Sequence, residues 1–400
     1  MTTLIRNGKV CFENRLVSCD ILIESGRIKA LGKLDHLEAA SVIDAEGLLI
    51  TPGLVDVHVH LREPGGEHKE TIITGTSAAV KGGFTTICAM PNTSPVMDSP
   101  ELLRTIKKKA QEEGLCHVEF YGTLTDALRS TVLSDYKGLK EAGVFALTND
   151  GVGVQDAGVM YQAMKQASKL GLSVVAHTEE DSLLYGGVMH EGKRNHELGL
   201  PGMLDLSESV QIARDALLAQ ATGCSYHVCH VSSKESVRII RDSKRAGIPI
   251  SAEVCVHHLL LCDDDIPGDD ANFKMNPPLR SSDDREALLE GFLDGTLDCL
   301  ATDHAPHSAD EKASGFNGSP FGIIGLEHAF SLLYTHLVLS GKMTLQNLID
   351  GFTRKPAALF SLDAGALIPG AAADLTLIDL DAEEVITPES IVSKSANSPF

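Results

Sequence analysis

The chain has 400 residues, 43% of them hydrophobic, and contains no apolar run of about 18 residues that could cross a bilayer. Its 55 acidic residues outnumber its 34 basic ones, and the formal net charge of -21 disfavours binding to phosphate backbones or anionic membrane surfaces. We therefore expect neither nucleic acid nor a membrane as a partner. The N-terminal residues carry no secretory signal pattern and the nine cysteines form no Cys-x-x-Cys pair, so we expect a cytoplasmic protein with reduced thiols.

Residues 1–50 are typical of a small β domain. Short β-branched runs alternate there with Asn-Gly and Ser-Gly turns, which is a signature of β-hairpins. A similar run at 373–380 returns near the other end of the chain. Because chain termini often meet at a domain surface, we predict one small β domain built from residues 1–50 and 366–400, flanking a catalytic domain over 51–365.

Between the two ends, β-branched runs alternate with amphipathic segments and polar turns, which is the pattern of βα units. The helical segments at 99–114 and 234–247 each end at a glycine, as helix capping favours. Eight such units predict an α/β fold, a (β/α)₈ TIM-type barrel in preference to an open doubly wound sheet. The eight candidate strands are 54–60, 84–90, 117–123, 144–149, 172–178, 225–231, 249–254 and 297–303.

Histidines and aspartates stand at the ends of five of these strands. His58 and His60 are two residues apart, and residues two apart in a strand share a face. The C-terminal ends of barrel strands meet at one rim, where barrel enzymes keep their active sites. Imidazole and carboxylate donors suit zinc or a similar divalent ion, and six donors match two ions with a bridging carboxylate better than one ion. The predicted ligands are His58, His60, Asp150, His177, His230 and Asp303.

Several separate motifs make the chain recognisable. Together they resemble the bacterial type I dihydroorotases of the amidohydrolase superfamily, and the resemblance runs from the first strands to residue 400. The motifs are DVHVHLREPG, AMPNT, YHVCHVSS, NFKMNPPLR, DGTLDCLATDHAPH and FGIIGLE.

The resemblance implies a role for each candidate residue. It makes His58, His60 and Asp303 ligands of one zinc ion, His177 and His230 ligands of a second, and Asp150 the carboxylate between them. It also implies a group that holds the carboxylate of the substrate and a group that contacts its ring. The first group is Arg62, Asn92 and His307, and the second is Asn276 with the turn Pro320, Phe321 and Gly322.

The resemblance further implies the reversible hydrolysis of the cyclic amide of dihydroorotate to N-carbamoyl-L-aspartate in pyrimidine biosynthesis. A hydroxide held between the two ions would be the nucleophile, and Asp303 would act as general base and then general acid. We interpret the long, glycine-rich segment 305–325 as an active-site loop. A homodimer is expected, and association with aspartate transcarbamoylase is compatible with activity.

The chain departs from the family pattern at three places. Asn149 precedes Asp150 where the family has aspartate, and Cys255-Val256 precedes His257-His258 where the family has Thr-Pro. Similar proteins also continue beyond the final SANSPF, so we expect the C-terminal part of the β domain to be truncated.

Alternative interpretations stay open. A hydantoinase or allantoinase would typically bridge its metals with a carbamylated lysine, but Thr148 stands at that place, which favours dihydroorotase. A non-catalytic scaffold for aspartate transcarbamoylase would be expected to have lost ligands, whereas all six are present. Arg62 could instead be a surface residue paired with Glu63 or Glu67. We expect His227 and His304 to be structural.

Overall fold

The computed structural model describes residues 2–34 and 36–400. Both ends of the chain contribute to one six-stranded sheet. Its strands follow the order β16-β5-β1-β2-β3, with β4 paired beside β1. Ile5, Ile21, Ile28 and Ile50 form its buried apolar cluster. The strands are β1 (Thr2–Phe12), β2 (Arg15–Glu24), β3 (Arg27–Gly32), β4 (Ser41–Asp44), β5 (Leu49–Pro52) and β16 (Leu375–Ile378).

Each of the eight predicted βα strands overlaps one observed strand. A further short pair, β11 (Met189–His190) and β12 (Gly202–Met203), lies outside this set. The eight are β6 (Leu54–Val59), β7 (Phe84–Ala89), β8 (His117–Phe120), β9 (Ala146–Thr148), β10 (Ser173–Ala176), β13 (Tyr226–Val228), β14 (Ile250–Cys255) and β15 (Cys299–Ala301).

These eight strands pair in parallel in chain order. One sheet runs β6-β7-β8 and another runs β9-β10-β13-β14-β15. Isolated parallel bridges join Gly122 to Leu147 between the two sheets, and Val59 to His304 between the last strand and the first. This α/β arrangement brings the carboxyl ends of all eight strands to the same side of the fold.

Helices follow the strands, and their caps agree with the sequence pattern. Ser99 caps α2 and Ser233 caps α7, each accepting a hydrogen bond from the third residue of its helix. The helices are α1 (Ile72–Lys81), α2 (Pro100–Glu113), α3 (Tyr136–Glu141), α4 (Ala157–Lys169), α5 (Lys193–Leu198), α6 (Leu206–Thr222), α7 (Lys234–Arg245), α8 (Val256–Leu260), α9 (Ser282–Leu293), α10 (Ala309–Lys312), α11 (Gly315–Gly318), α12 (Ala329–Leu333), α13 (Leu345–Gly351) and α14 (Arg354–Phe360). Across the described ranges, none of these helices is long and apolar enough to cross a membrane.

Strand β6 is buried along its whole length, but its alternation is not regular. Val57 packs in the inner cluster enclosed by the strands, whereas Val59 packs in the outer cluster between strands and helices. The pairing of β6 with β7 shifts register between Asp56 and Val59. This irregularity breaks the alternation after Val57. His58 and His60 flank Val59, and their rings still converge as alternation predicts, with centroids 5.4 Å apart.

Asp56 links the first and last of the eight strands. Its buried carboxylate accepts hydrogen bonds from the main-chain N–H of His58 (3.1 Å) and of Thr302 (3.2 Å), and from the Thr302 hydroxyl (2.5 Å). Burial raises the pKa of Asp56 to about 7, although these donors oppose the shift. The carboxyl ends of β6 and β15, which carry His58 and Asp303, are thereby held side by side.

The domain boundaries at 50/51 and 365/366 stay predictions. Strand β5 crosses the first of them, and residues after β16 contact the region assigned to the catalytic domain. The main-chain N–H groups of Val392 and Ser393 bind the carboxylate of Glu327, at 2.8–3.0 Å.

Candidate metal centre and its pocket

The six predicted ligands lie together at the carboxyl ends of the parallel strands, with Asp150 at the centre. Asp150 Oδ1 is 3.3 Å from His58 Nε2 and 3.6 Å from His230 Nε2, and its Oδ2 is 3.4 Å from His60 Nε2. Asp303 Oδ1 is 3.3 Å from His58 Nε2 and 3.1 Å from His60 Nε2. One carboxylate therefore faces ligands on both sides, as a bridging group would.

His177 and His230 complete the cluster on the other side of Asp150. His177 Nδ1 lies 2.9 Å from His230 Nε2 and 3.9 Å from Asp150 Oδ1. Three groups of residues here have ligand atoms mutually within 4.8 Å: His58 with His230 and Asp303, His58 with Asp150 and Cys229, and Asp150 with His177 and His230. The structure therefore brings the six predicted donors together, and their role as ligands stays a prediction.

Backbone geometry aims two of the ligands. His230 has φ +32° and Asp303 has φ +49°, and each lies two residues after the last residue of its strand. A positive φ is uncommon for residues other than glycine, and such strain concentrates at functional sites. Both side chains thus leave the regular course of their strands and turn into the cluster.

Glu253 on β14 orients the first histidine, and sequence analysis missed it. His58 Nδ1 donates to Glu253 Oε1 at 2.6 Å, which leaves Nε2 facing the two aspartates. The other oxygen of Glu253 lies 3.1 Å from His227 Nε2, so His227 is structural as predicted. A carboxylate behind a histidine ligand is the common arrangement at metal sites. The sequence signal was a single acidic residue inside an otherwise apolar strand.

Two further predicted histidine ligands, His60 and His177, also have a polar side chain behind them. His60 Nδ1 donates to Asn92 Oδ1 at 2.8 Å, so Asn92 supports a ligand as well as facing the pocket. His177 Nε2 lies 3.6 Å from Glu179 Oε2, which accepts a hydrogen bond of 2.6 Å from Asn276 Nδ2. Glu179 is a second acidic residue that sequence analysis missed.

The charge balance of the cluster favours a cation. Burial by itself would lower the pKa of His58, but Asp150, Asp303 and Glu253 outweigh burial and raise it well above its ordinary value. Burial raises the pKa of Asp150, but His58 and His230 outweigh that effect and hold it well below the usual range. Within the described residues, the buried atoms His58 Nε2 and Asp150 Oδ1 make no hydrogen bond. These unpartnered donors and the local negative potential fit divalent metal ions.

The cluster opens into a cavity of about 160 Å³, which five of the seven predicted substrate-binding residues line. His307 lies beside the cavity, with its Nε2 3.1 Å from Arg62 Nη2. Pro320 directly precedes the lining residue Phe321, and its carbonyl accepts a hydrogen bond from Lys312 Nζ at 3.0 Å. The five lining residues are Arg62, Asn92, Asn276, Phe321 and Gly322.

Arg62 reaches the cavity from a turn. Strand β6 ends at Val59, and Arg62 has φ +61°, so a turn and not a continued strand directs its side chain. Its guanidinium donates to the carbonyl of Pro306 at 3.1 Å and lies against His307, rather than pairing with Glu63 or Glu67. Burial lowers the pKa of Arg62 to about 10, which leaves it a cation at neutral pH.

Gly322 closes the opposite wall. Its φ is +132°, and a Cβ added there would lie 2.8 Å from Ala305 Cβ and 3.1 Å from His307 Cδ2. Only glycine combines this backbone conformation with such close packing.

Two other features of the sequence lie near the cluster. His304 is fully buried and structural as predicted, since its Nδ1 accepts from the N–H of Gly325 at 3.2 Å and its Nε2 lies 3.3 Å from Glu70. Cys229 is a buried core thiol, but its sulfur also lies within 4.8 Å of ligand atoms of His58 and Asp150.

Replacing Glu253 with glutamine should weaken metal binding about 10- to 100-fold, because the amide keeps the size of the side chain but no longer fixes the tautomer of His58 as a carboxylate does. Zinc titration of the chelator-treated protein measures this, with Glu290→Gln on the exposed face of α9 as the matched control. Equal affinities for the two variants would remove Glu253 from the metal centre.

The chain is similar to known proteins in both sequence and fold. Residues 47–236 match the family model described as Dihydro-orotase-like. The dihydroorotase of Staphylococcus epidermidis is 57% identical over 399 residues, covering 99% of this chain and 94% of the relative, and that of Geobacillus sp. (strain WCH70) is 56% identical over 402 residues, covering 100% and 94%. The solved L-hydantoinase (dihydropyrimidinase) from Arthrobacter aurescens matches with a TM-score of 0.90 at 25% identity, covering 100% of this chain and 91% of that one. The chain belongs to the dihydroorotase family.

Proposed function

We propose that this chain catalyses the dihydroorotase reaction of pyrimidine biosynthesis, the reversible hydrolysis of (S)-dihydroorotate to N-carbamoyl-L-aspartate. The observation that carries the proposal is one cavity that joins a buried His/Asp donor cluster to a guanidinium. The donors suit the hydrolysis of a cyclic amide, and the guanidinium suits the carboxylate that the dihydroorotate ring bears.

The donor set supports two zinc ions as the cofactors. His58, His60 and Asp303 would hold one ion, His177 and His230 the other, and Asp150 both. Four imidazoles and two carboxylates are ligands that zinc accepts, and His58 Nε2 and Asp150 Oδ1 have no competing hydrogen bond. When bound, such ions lower the pKa of water to near neutrality and polarise a carbonyl group.

Arg62 is proposed to fix the substrate by its carboxylate. A guanidinium presents a planar pair of N–H donors that matches a carboxylate, and the half-buried Arg62 lines the cavity. His307 lies against the same guanidinium, and burial together with Arg62 lowers the pKa of His307 to about 3, so its imidazole is neutral. Asn276 and the Phe321–Gly322 main chain would contact the ring.

Asp303 is proposed to transfer the proton. Hydrolysis adds an oxygen to the ring carbonyl carbon and a hydrogen to the ring nitrogen as the bond between them breaks. Burial raises the pKa of Asp303, but His58 and His60 outweigh burial and lower it, so the carboxylate is ready to accept a proton from water. It would then donate that proton to the leaving nitrogen, and ring closure would reverse both steps.

The strand pairing supports a closed (β/α)₈ barrel with an appended β domain. The two isolated bridges, Gly122–Leu147 and Val59–His304, lie where the two parallel sheets would join into a barrel. A homodimer and association with aspartate transcarbamoylase stay predictions.

Hydantoinase activity is the second candidate, because a solved hydantoinase has the same fold. Thr148 opposes it, since this residue stands where such enzymes were expected to bridge their metals with lysine, and its hydroxyl instead accepts from the Asp150 N–H at 2.9 Å. Ultraviolet assays with dihydroorotate, hydantoin and allantoin separate the two. We expect dihydroorotate to have the highest kcat/KM, and a preference for hydantoin would overturn the proposal.

Replacing Asp303 with asparagine should reduce kcat by about two to four orders of magnitude, because the amide keeps the shape but cannot accept the proton. Turnover of dihydroorotate is measured together with metal content. The control is Asp294→Asn at the exposed end of α9, which should retain full activity. An Asp303 variant that stays within a few-fold of the parent would exclude the proton-transfer role.

Replacing Arg62 with lysine should lower kcat/KM for dihydroorotate by on the order of 1.5 to 3 kcal/mol, because a point charge loses the paired hydrogen bonds. Competitive inhibition by dihydrouracil, the same ring without the carboxylate, should barely change. Arg238→Lys on the exposed face of α7 is the matched control. Carboxylate binding by Arg62 would be contradicted if kcat/KM for dihydroorotate and the affinity for dihydrouracil fell equally, or if neither fell.

A further inference from the structure

One side chain from the C-terminal segment reaches the loop beside the proposed substrate cavity. Asn397 is 5% exposed, and its Nδ2 donates to the carbonyls of Ala305 (3.2 Å) and Gly322 (3.0 Å). Its Oδ1 accepts from the main-chain N–H of His307 at 3.0 Å, and its own carbonyl accepts from the N–H of Ile324 at 3.0 Å. A single residue thus bonds to both ends of the loop 305–325.

The bonded positions are those that shape the cavity. Ala305 and Gly322 line it directly. His307 contacts Arg62, and its Nε2 also lies 2.9 Å from the carbonyl of Phe321. The loop ends therefore carry one wall of the cavity, and Asn397 ties the His307 side of that wall to the Gly322 side.

The side-chain amide of Asn397 can bond to both ends of the loop because it carries donors and an acceptor. Both N–H groups point at main-chain carbonyls while the oxygen faces a main-chain N–H, so the side chain uses donors and acceptor together. Gly322 is additionally held by Lys312 Nζ, which donates to its carbonyl at 2.8 Å, and by its own N–H, which donates to the Lys274 carbonyl at 3.0 Å. A buried set of bonds this complete leaves little freedom to the turn.

We propose that Asn397 is a positioning residue that holds His307 against Arg62 and Gly322 against the cavity, and so sets the affinity for the substrate carboxylate. This inference rests on the proposed function. Asn397 contacts no predicted metal ligand in the hydrogen-bond network of the described residues, so its removal should leave the metal centre intact.

The competing explanation is that Asn397 only anchors the C-terminal segment. Ser395 offers the matched control, because it is 4% exposed in the same segment and its hydroxyl donates to the Lys69 carbonyl at 2.7 Å, outside the 305–325 loop. Ser395→Ala loosens the segment without removing a bond to the cavity wall.

The test compares Asn397→Leu, Asn397→Ala and Ser395→Ala with the parent by steady-state turnover of dihydroorotate, metal content and thermal unfolding. Loss of one oriented set of hydrogen bonds should raise KM by on the order of tenfold in the Asn397 variants, with metal content unchanged. Alanine is the smaller replacement, so Asn397→Ala provides the KM comparison if Asn397→Leu does not fold. A KM within twofold of the parent, the same rise in Ser395→Ala, or loss of metal would each overturn the positioning role.

A double-variant cycle distinguishes positioning from general destabilisation. Because Asn397 is proposed to act through the wall that supports Arg62, Asn397→Ala should raise KM by less than about threefold in an Arg62→Lys background. If Asn397→Ala raised KM by the same factor in the parent and in the Arg62→Lys variant, the inference would be contradicted. If the parent protein does not hydrolyse dihydroorotate at all, the proposed function fails, whereas unchanged KM in an active Asn397 variant removes only the role of Asn397.

Discussion

The structure depends on burying two carboxylates, Asp150 and Asp303, within reach of the same two imidazoles. Both aspartates are less than 10% exposed, and like charges in such a place are costly unless positive charge compensates them. His58 Nε2 lies 3.3 Å from each aspartate, and these carboxylates raise the pKa of His58 by favouring its protonated form. A divalent cation can satisfy the same demand by accepting the imidazole lone pairs in place of protons, and one ion can face several of these donors at once.

The surrounding residues follow from that constraint. Asp56 holds the first and last strands together, Glu253 and Asn92 turn His58 and His60 toward the aspartates, and Glu179 lies behind His177. The cation Arg62 lies at the edge of the same cavity, where a substrate carboxylate can meet it without displacing a ligand. In the proposed function, metal binding therefore uses residues at the strand ends, whereas substrate binding uses loops that follow them, including those after β6 and β15.

The sequence predicted the parts of this arrangement that are local or periodic. Eight βα strands, the capped helices and the six donors at strand ends could be inferred because alternation and strand-end placement follow from the chain itself. Glu253 and Asn397 could not, since each acts on a residue that is distant in the chain. Glu179 lies beyond the end of β10, where strand alternation no longer indicates the direction of a side chain. Arg62 was expected at the substrate from the family resemblance, and its approach through a turn with positive φ is set by the tertiary structure.

The central claim is that the donor cluster holds the divalent ions on which dihydroorotate hydrolysis depends. Stepwise return of zinc to chelator-treated protein tests this most directly, with bound metal measured by elemental analysis and turnover measured in the same samples. The account predicts that turnover is absent without metal, rises with bound zinc and reaches its maximum at about two ions per chain. Full turnover in metal-free protein, or zinc that binds without restoring turnover, would contradict it.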